Sequence, residues 1–368
     1  MRRSEEPLVS VVMVTRNAER FLEEAIESIS VQDFRDFEFI IVDFGSTDKS
    51  KDIIASYAAK DHRIRPNEIP NCSLAEARNG ACALATGRYI AVQDADDKSL
   101  PNRLKVEVDF MQKHPEVGLL GGAIQRIDQY GKYLSIGDEN PTEDQEIRSV
   151  LKEWSPFSQP TVLMLREAFV RVGGYRAVFP NSEDYDLWLR ISEHYRCANV
   201  KDVVLQYRIH PHQMTMRKRS EQILCTLAAQ ASALLRGAGK PDPIDSVPEI
   251  TPEVLAGMGV SEAVQKNKLA EGYFSAMDQI YKAGGNSAVL EAAAELLQLC
   301  KGRSVEQRYI SDAHILCAKA YWKQERILPS ILSLGRAVLA RPRVVGRPFK
   351  PFLRLLRSTV AGARASGT

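Results

Sequence analysis

Residues 88–103 read RYIAVQDADDKSLPNR, and the rest of the chain is organised around this stretch. Its apolar run, residues 89–92, lies between a glycine and a group of acids, which is typical of a short buried strand. Three carboxylates follow, Asp94, Asp96 and Asp97. Asp94 and Asp96 point the same way in an extended segment because they are two residues apart. Hard oxygen ligands of this kind suit Mg²⁺ or Mn²⁺. The alternative is a solvated acidic turn that caps the next helix.

The chain before this stretch alternates between strands and helices. Near-continuous apolar runs predict buried strands at residues 8–14 and 37–42, and a weaker strand lies near Ile64. This order predicts an α/β fold with a doubly wound, mostly parallel, Rossmann-like sheet. Ligands of such sheets bind at the carboxyl ends of the strands. We therefore expect one crevice lined by the polar residues at successive strand ends, which are Thr15 and Asn17, Asp43 and Ser46, and Asp94 and Asp96.

Turn chemistry predicts where the connecting segments begin and end. Ser46 or Thr47 can cap the second helix, Ser73 can open the third, and Gly87 can close the third. Residues 159–165 predict a strand that is entered through a proline. Neither the glycine-rich dinucleotide fingerprint nor the P-loop occurs in the sequence, so NAD and ATP are not expected in their standard modes.

Composition indicates an ordinary globular protein that is long enough for two domains, with 368 residues of which 44% are hydrophobic and 26% charged. A net charge of +2 gives no reason to expect nucleic-acid binding. The six cysteines form no C-x-x-C pair, which favours reduced thiols in a cytosolic protein. No signal-peptide or membrane-spanning pattern is present in the sequence, so we expect a cytoplasmic location.

An ordered set of short motifs covers roughly residues 7–215. The motifs are Ser10-Val11-Val12 with Asn17, Val42-Asp43-x-Gly45-Ser46-Thr47-Asp48, Ala77-Arg78-Asn79, Asp94-Ala95-Asp96-Asp97 with Pro101 and Arg103, Gly173-Gly174-Tyr175, Glu183-Asp184-x-Asp186-Leu187-Trp188-Leu189-Arg190, and Tyr207-Arg208-x-His210. Each motif is weak alone, but together, in this order and at these separations, they resemble family 2 glycosyltransferases of the GT-A fold. The resemblance implies a GT-A catalytic domain that transfers a sugar from a nucleotide-sugar donor.

The resemblance assigns roles to individual residues. Asp94 and Asp96 resemble the family's D-x-D element, which binds the Mn²⁺ or Mg²⁺ ion that bridges the donor diphosphate. His210 resembles the histidine that often completes this metal site, and a surface histidine is the alternative. Asp184 resembles the catalytic base of an inverting transfer, although acids also favour a helix start. Arg78 resembles an arginine near the donor diphosphate, and a solvated helix residue is the alternative.

The chain departs from the family pattern at the residues expected to bind the nucleotide base of the donor. Many members have two acids where this chain has Asp43 and Phe44, and the second acid often contacts uracil. Either Asp43 contacts the uracil ring alone or the donor is not a uridine nucleotide. Of these two alternatives we expect the first, with UDP as the nucleotide of the donor. Gln159 replaces a common histidine, which affects contacts on the acceptor side. The implied donor-binding residues are Thr15, Asn17, Asp43, Ser46, Arg78 and Asp94.

We expect a glycan or lipid-linked acceptor, in bacterial surface-polysaccharide or glycolipid assembly. Two other function classes stay open. A non-catalytic sugar- or nucleotide-binding module of the same fold would lack the base or a metal acid, and both Asp184 and Asp96 are present. A sugar-1-phosphate nucleotidyltransferase would need a loop rich in Gly, Arg and Lys after the first strand, and residues 14–18 do not supply one.

The resemblance ends near residue 215. We predict a catalytic domain at 1–215, a connecting helix and linker at 216–240, a helical domain at 241–340 and a basic tail at 341–368. Residues 237–248 have the composition of a linker, and apolar periodicity predicts helices at 261–281, 287–300, 305–322 and 327–339. After Glu325 the chain has nine Lys or Arg and no acid. The tail's bases and apolar residues suit contact with the inner membrane surface, and a solvated tail is the alternative.

Overall fold

The structure is a computed structural model that describes residues 6–137, 139–210, 219–282, 284–300 and 305–342. The chain forms two compact units, Met1–Gly259 and Val260–Thr368. The division therefore falls after Gly259 rather than near residue 240, where the sequence composition places it.

One half of the sheet in the first unit is parallel. Its strands are β1 (Val9–Thr15), β2 (Phe37–Asp43), β3 (Ile64–Glu68) and β4 (Tyr89–Asp94), in the spatial order β3-β2-β1-β4. Nearly every residue of β1, β2 and β4 is buried, because the strands are short apolar runs covered on both faces. The connecting helices are α1 (Leu22–Ser30), α2 (Ser50–Ala58) and α3 (Leu74–Ala83).

The other half of the sheet is mixed. Its strands are β5 (Lys98–Ser99), β6 (Val117–Asp128), β7 (Tyr133–Ile136), β8 (Leu163–Leu165) and β9 (Arg196–Ile209). Strand β8 lies between β4 and β6 and is antiparallel to both, whereas β9 is parallel to β6. The helices of this half are α4 (Arg103–Lys113), α5 (Asp144–Val150), α6 (Arg166–Arg171) and α7 (Glu183–Ser192). The predicted Rossmann-like fold with a mostly parallel central sheet is confirmed.

Two predicted helix ends are wrong, and one is confirmed. Helix α2 begins at Ser50 without a side-chain cap, because Ser46 Oγ instead accepts a hydrogen bond from the N–H of Asn17 (2.9 Å). Gly87 does not close α3, which ends at Ala83. Gly87 instead lies against β1, where a Cβ atom would stand 2.7 Å from the backbone nitrogen of Ser10. Ser73 caps α3 as predicted, in a reciprocal capping box with Glu76.

The strand predicted at residues 159–165 is also partly wrong. Gln159–Thr161 form a 3-10 helix, and strand β8 begins only at Leu163. The hydroxyl of Thr161 donates to the carbonyl of Ser158 (2.8 Å) and accepts from the N–H of Gly122 in β6 (3.2 Å). These two hydrogen bonds hold the segment in a turn against the sheet.

The predicted linker is a packed part of the first unit. Helix α8 (Arg219–Gly237) precedes a 3-10 helix (Pro243–Ser246) and helix α9 (Pro252–Gly257). Asp242 pairs with Arg176 (2.9 Å) and Arg236 (2.6 Å), and its side chain is only 6% exposed. These ion pairs fix residues 240–246 to the catalytic fold, which the local composition of glycine and proline does not indicate.

The second unit is helical, in agreement with the predicted helices. Its helices are α10 (Glu262–Lys282), α11 (Asn286–Leu299), α12 (Gln307–Lys323) and α13 (Ile327–Ala340). Buried Met277, Val289, Leu296 and Leu316 belong to its core. Residues 343–368, which hold most of the predicted basic tail, lie outside the described residues. Within the described ranges, no helix is both long enough and apolar enough to cross a membrane.

Candidate active site

The ends of β1 and β2 form one wall of the site. Asp43 ends β2, and its Oδ1 accepts hydrogen bonds from the N–H groups of Gly45 (3.0 Å) and Ser46 (2.9 Å). Asp43 Oδ2 and the hydroxyl of Thr15 are buried, and neither has a hydrogen-bond partner among the described residues. Thr15 and Asp43 are register partners on adjacent parallel strands. This wall therefore offers a hydroxyl beside an unused carboxylate oxygen.

The loops that follow these strands are bonded to each other. Asn17 has a left-handed backbone (φ 55°), and its side-chain oxygen accepts from the N–H of Thr47 (2.8 Å). Its own N–H donates to Ser46 Oγ. Next to this junction, the guanidinium of Arg16 lies 5.3 Å from the ring centroid of Phe44. Asn17 and Ser46 thus hold the two loops together, and their predicted contact with a donor stays a prediction.

Arg78, on α3, links the two sides of the site. Its guanidinium donates to Glu183 at the start of α7 and lies 3.6 Å from Asp94 Oδ1 at the end of β4. It also lies 5.7 Å from the ring centroid of Tyr175. The neighbouring Asn79 fixes the backbone of Tyr175 through two hydrogen bonds of 2.8 Å each. Arg78 is thus a cation held between acids from two separate elements and is not a solvated helix residue.

The carboxyl groups around Arg78 are desolvated. Burial raises the pKa of Asp94 to about 6; the charge of Arg78 opposes this rise, and the charges of Asp96 and Asp184 add to it. Burial also raises the pKa of Asp184 and of Glu183, again against the effect of Arg78. The charge of Arg78 therefore acts on Asp94, Asp184 and Glu183 together. Groups with such raised pKa values are suited to accept a proton near neutral pH.

Asp96 and His210 meet across the sheet. His210 follows β9, and its Nε2 lies 3.0 Å from Asp96 Oδ2. Arg208 fixes this pairing by donating its Nε–H to the carbonyl of Asp96 (2.9 Å), while its backbone N–H donates to Asp97 Oδ1 (2.7 Å). The ring of Phe21 packs on His210 with 5.0 Å between centroids. The predicted histidine therefore lies beside Asp96 and not on an isolated surface loop.

Asp94, Asp96 and His210 do not form a complete metal site without a bound substrate. Among the residues that the structure describes, no three His, Cys, Asp or Glu side chains lie close enough to hold a metal ion by themselves. Asp96 and His210 nevertheless present an oxygen and a nitrogen ligand at one point, and Asp94 lies near enough for the two carboxylates to repel. Such a partial set fits a divalent cation whose remaining ligands come from a bound substrate.

Two residues of this site were missed by reasoning from the sequence, Glu183 and Tyr175. Glu183 stands where an acid favours a helix start, yet it is 2% exposed and bound to Arg78. The signal that could have found it is its position directly before Asp184. Gln159 contacts the second of these residues: its side-chain Nε2 donates a hydrogen bond to the hydroxyl of Tyr175 (3.2 Å). Trp188 on α7 is fully buried and belongs to the core rather than to the site.

Fold and site together define an α/β protein with an acid-rich crevice at the carboxyl edge of its sheet, in which one arginine is held between acids. The sequence profile of Glycosyl transferase family 2 matches residues 10–173. An uncharacterised glycosyltransferase of Methanocaldococcus jannaschii is 36% identical over 210 residues, which are 56% of this chain and 72% of that protein. The chain belongs to glycosyl transferase family 2 and is a glycosyltransferase.

Two further comparisons agree with this assignment. The O-antigen biosynthesis glycosyltransferase WbnJ of Escherichia coli is 30% identical over 207 residues, covering 55% of this chain and 80% of WbnJ. The crystal structure of Staphylococcus aureus TarS, residues 1–349, in complex with UDP-GlcNAc has a TM-score of 0.50 at 16% identity, covering 89% of this chain and 90% of TarS. At that identity the likeness to TarS supports the GT-A fold alone.

Proposed function

We propose that this glycosyltransferase moves a sugar from a nucleoside diphosphate sugar to an acceptor hydroxyl, with inversion at the anomeric carbon. The observation that carries the proposal is the convergence of Asp94, Asp184 and Glu183 around the guanidinium of Arg78. An inverting transfer needs one carboxylate as base and a positively charged place for the leaving diphosphate. It needs no second, nucleophilic carboxylate.

Asp184 is the base in this proposal. Burial raises its pKa, so the carboxylate holds a proton more readily than an exposed aspartate does. Its Oδ1 accepts from the N–H of Tyr185 (2.7 Å), which fixes the side chain at the first turn of α7. A fixed carboxylate with a raised pKa can take the proton of an acceptor hydroxyl as its oxygen attacks the sugar.

Asp94, Asp96 and His210 would hold Mn²⁺ or Mg²⁺ together with oxygens of the donor diphosphate. The placement of Asp96 beside His210 supports this assignment, and the carboxylate and imidazole ligands suit either ion. A bound divalent ion would supply positive charge that stabilises the departing nucleoside diphosphate. Arg78 places a second positive charge on the same side, because it lies beside Asp94.

The pair Thr15 and Asp43 supports a uridine donor. One carboxylate oxygen of Asp43 is already used by two backbone N–H groups, so a single buried oxygen is left to accept. Uracil presents one ring N–H flanked by carbonyl oxygens, which matches that oxygen together with the Thr15 hydroxyl. Guanine presents two adjacent N–H donors, which would need both carboxylate oxygens. Asp43 can therefore recognise the base without a second acid at Phe44.

The acceptor that we propose is a glycan or lipid-linked sugar of a surface polysaccharide, used at the cytoplasmic face of the membrane. The name of WbnJ, an O-antigen biosynthesis enzyme, supports this class of acceptor. Contact between the basic tail and the membrane stays a separate prediction, because residues 343–368 lie outside the described residues.

Binding and turnover of the donor test the proposal. Calorimetry with UDP and GDP, each with Mn²⁺ and then with EDTA, should give tight binding only for UDP with metal. Release of UDP from UDP-sugars in the presence of Mn²⁺ should then depend on Asp184. Equal affinity for UDP in EDTA would refute the metal assignment, and a preference for GDP would refute the base assignment.

A further inference from the structure

Helix α13 in the second unit buries small residues and exposes several large apolar ones. Its buried residues are small: Ser330, Ser333 and Ala337. The hydroxyl of Ser330 donates to the carbonyl of Ala318 on α12 (2.8 Å), so the inner contact is a close approach of two helices. Several of its large apolar side chains are instead exposed, with exposed fractions of 67% at Leu328, 38% at Ile331, 53% at Leu332 and 83% at Leu339.

These exposed residues form one continuous stripe. Positions 328, 331, 332, 335 and 339 follow helical spacing and lie on a single face. Position 335 is a glycine with no atom within 4 Å of where its Cβ would be, so the middle of the stripe is open. An apolar face of this kind on an otherwise packed helix marks a surface that binds something.

The charges around the stripe restrict what can bind. Helix α13 has no Asp or Glu, and its one base, exposed Arg336, borders the stripe. Arg326, preceded by exposed Glu325, and Arg341 lie just outside its two ends. A second copy of this face would bring arginines against arginines, which is unfavourable for a symmetric contact. Residues 343–368 also contain bases and no acid, so the same repulsion opposes them as a cover.

We propose that the α13 stripe (Leu328, Ile331, Leu332 and Leu339) inserts into the surface of an anionic lipid membrane. An interfacial helix needs one apolar face with bases beside it and few acids; α13 has the apolar face, no acid, and Arg336 one turn after Leu332 at the border of the stripe. The anionic leaflet attracts the arginines while the leucines leave water. The inference concerns a described helix and does not depend on the tail or on the proposed donor chemistry.

Co-sedimentation of the full chain with vesicles tests this inference. The test protein is the double variant Leu328→Glu and Leu332→Glu, and the control is Val170→Glu and Val264→Glu. The control changes two exposed valines, on α6 and α10, and adds the same charge. Vesicles of phosphatidylglycerol with phosphatidylcholine are compared with vesicles of phosphatidylcholine alone.

We expect wild type and the valine variant to pellet with the anionic vesicles, and the leucine variant to partition roughly tenfold or more weakly. Without lipid, the leucine variant should keep the wild-type melting temperature and molar mass, because the stripe is already exposed. Equal partitioning of all three proteins overturns the inference. A lowered melting temperature would show that the chain itself covers the stripe, and a changed mass in light scattering would show that a second copy does; either result also overturns it.

Discussion

The ion pairs of Asp242 allow a quantitative prediction for Asp242→Asn. Burial acts to raise the pKa of Asp242, but hydrogen bonds from Ser232, Arg176 and Arg236 outweigh it and lower the pKa from 3.8 to about 2. Each pKa unit corresponds to about 1.4 kcal/mol, so the folded state gains about 2 kcal/mol from the ionised carboxylate. We expect the free energy of unfolding of the first unit to fall by about that amount at neutral pH.

The sign of the pH dependence follows from the lowered pKa. A carboxyl group with a lower pKa in the folded state stabilises that state above the pKa of the unfolded chain, which is about 3.8. This contribution is lost as the pH falls from about 3.8 toward about 2. The difference in stability between wild type and Asp242→Asn should therefore be full at neutral pH and should shrink below about pH 4.

Urea unfolding followed by tryptophan fluorescence measures this difference. Of the three tryptophans, Trp154 and Trp188 lie in the first unit and Trp322 in the second. The parent protein and every variant compared with it should therefore carry Trp322→Phe, so that the fluorescence reports on the first unit alone. Asp245→Asn is the matched control, since Asp245 also contacts Arg176 (3.0 Å) but its side chain is 72% exposed. We expect the control to change stability by less than about 0.5 kcal/mol.

Two results would contradict the reasoning. If Asp242→Asn unfolds at the same urea concentration as its parent, the ion pairs do not stabilise the fold. If Asp245→Asn costs as much as Asp242→Asn, burial does not determine the strength of these contacts.

The remaining predictions concern two acids of the active site and the backbone at Gly174. Asp184→Asn should keep its affinity for the donor and lose roughly 100-fold or more in turnover, measured as release of nucleoside diphosphate; near-normal turnover would leave Asp184 as a helix-start residue. Asp96→Ala should make the calorimetric affinity for nucleoside diphosphate independent of Mn²⁺, and a retained metal effect would count against the D-x-D assignment. Gly174→Ala should destabilise the first unit by about 1–3 kcal/mol in urea, because Gly174 has a φ of 72° and an added Cβ would stand 2.6 Å from Asn79 Oδ1. Gly131→Ala is its control, at a φ of 81° with no atom within 4 Å, and an equal loss in both would exclude the contact with Asn79 as the cause.

Local patterns in the sequence predicted the parts of this protein that depend on local physics. The buried strands follow from apolar runs, and the convergence of Asp43 and Asp94 on one edge follows from parallel strands whose ends are level. Asp94 and Asp96 carry a local signal, because they are two carboxylates two positions apart at a strand end, and their role as a D-x-D metal site stays a prediction. His210 and Asp184 were placed only through the resemblance to a family.

Long-range partners account for what sequence reasoning missed. Ser46 is a residue type that often caps helices, but its hydroxyl instead accepts a hydrogen bond from the N–H of Asn17, 29 residues away. The segment containing Asp242 has the composition of a linker, but Arg176, 66 residues away, fixes it in place. Glu183 looks like a helix-start acid until Arg78 is placed against it. In each case the deciding contact joins residues whose proximity is set by the tertiary fold.

The spatial order of the strands has a consequence for how the chain folds during synthesis. The four parallel strands β3-β2-β1-β4 are complete once residue 94 has left the ribosome, and their contacts do not need later residues. The neighbour of β4 on its other side is β8, which begins only at Leu163. For about 70 residues of elongation, roughly 4 to 14 s at 5–20 residues per second, β4 is an unprotected sheet edge. The acids at its end, Asp94 to Asp97, then oppose pairing with a second nascent chain.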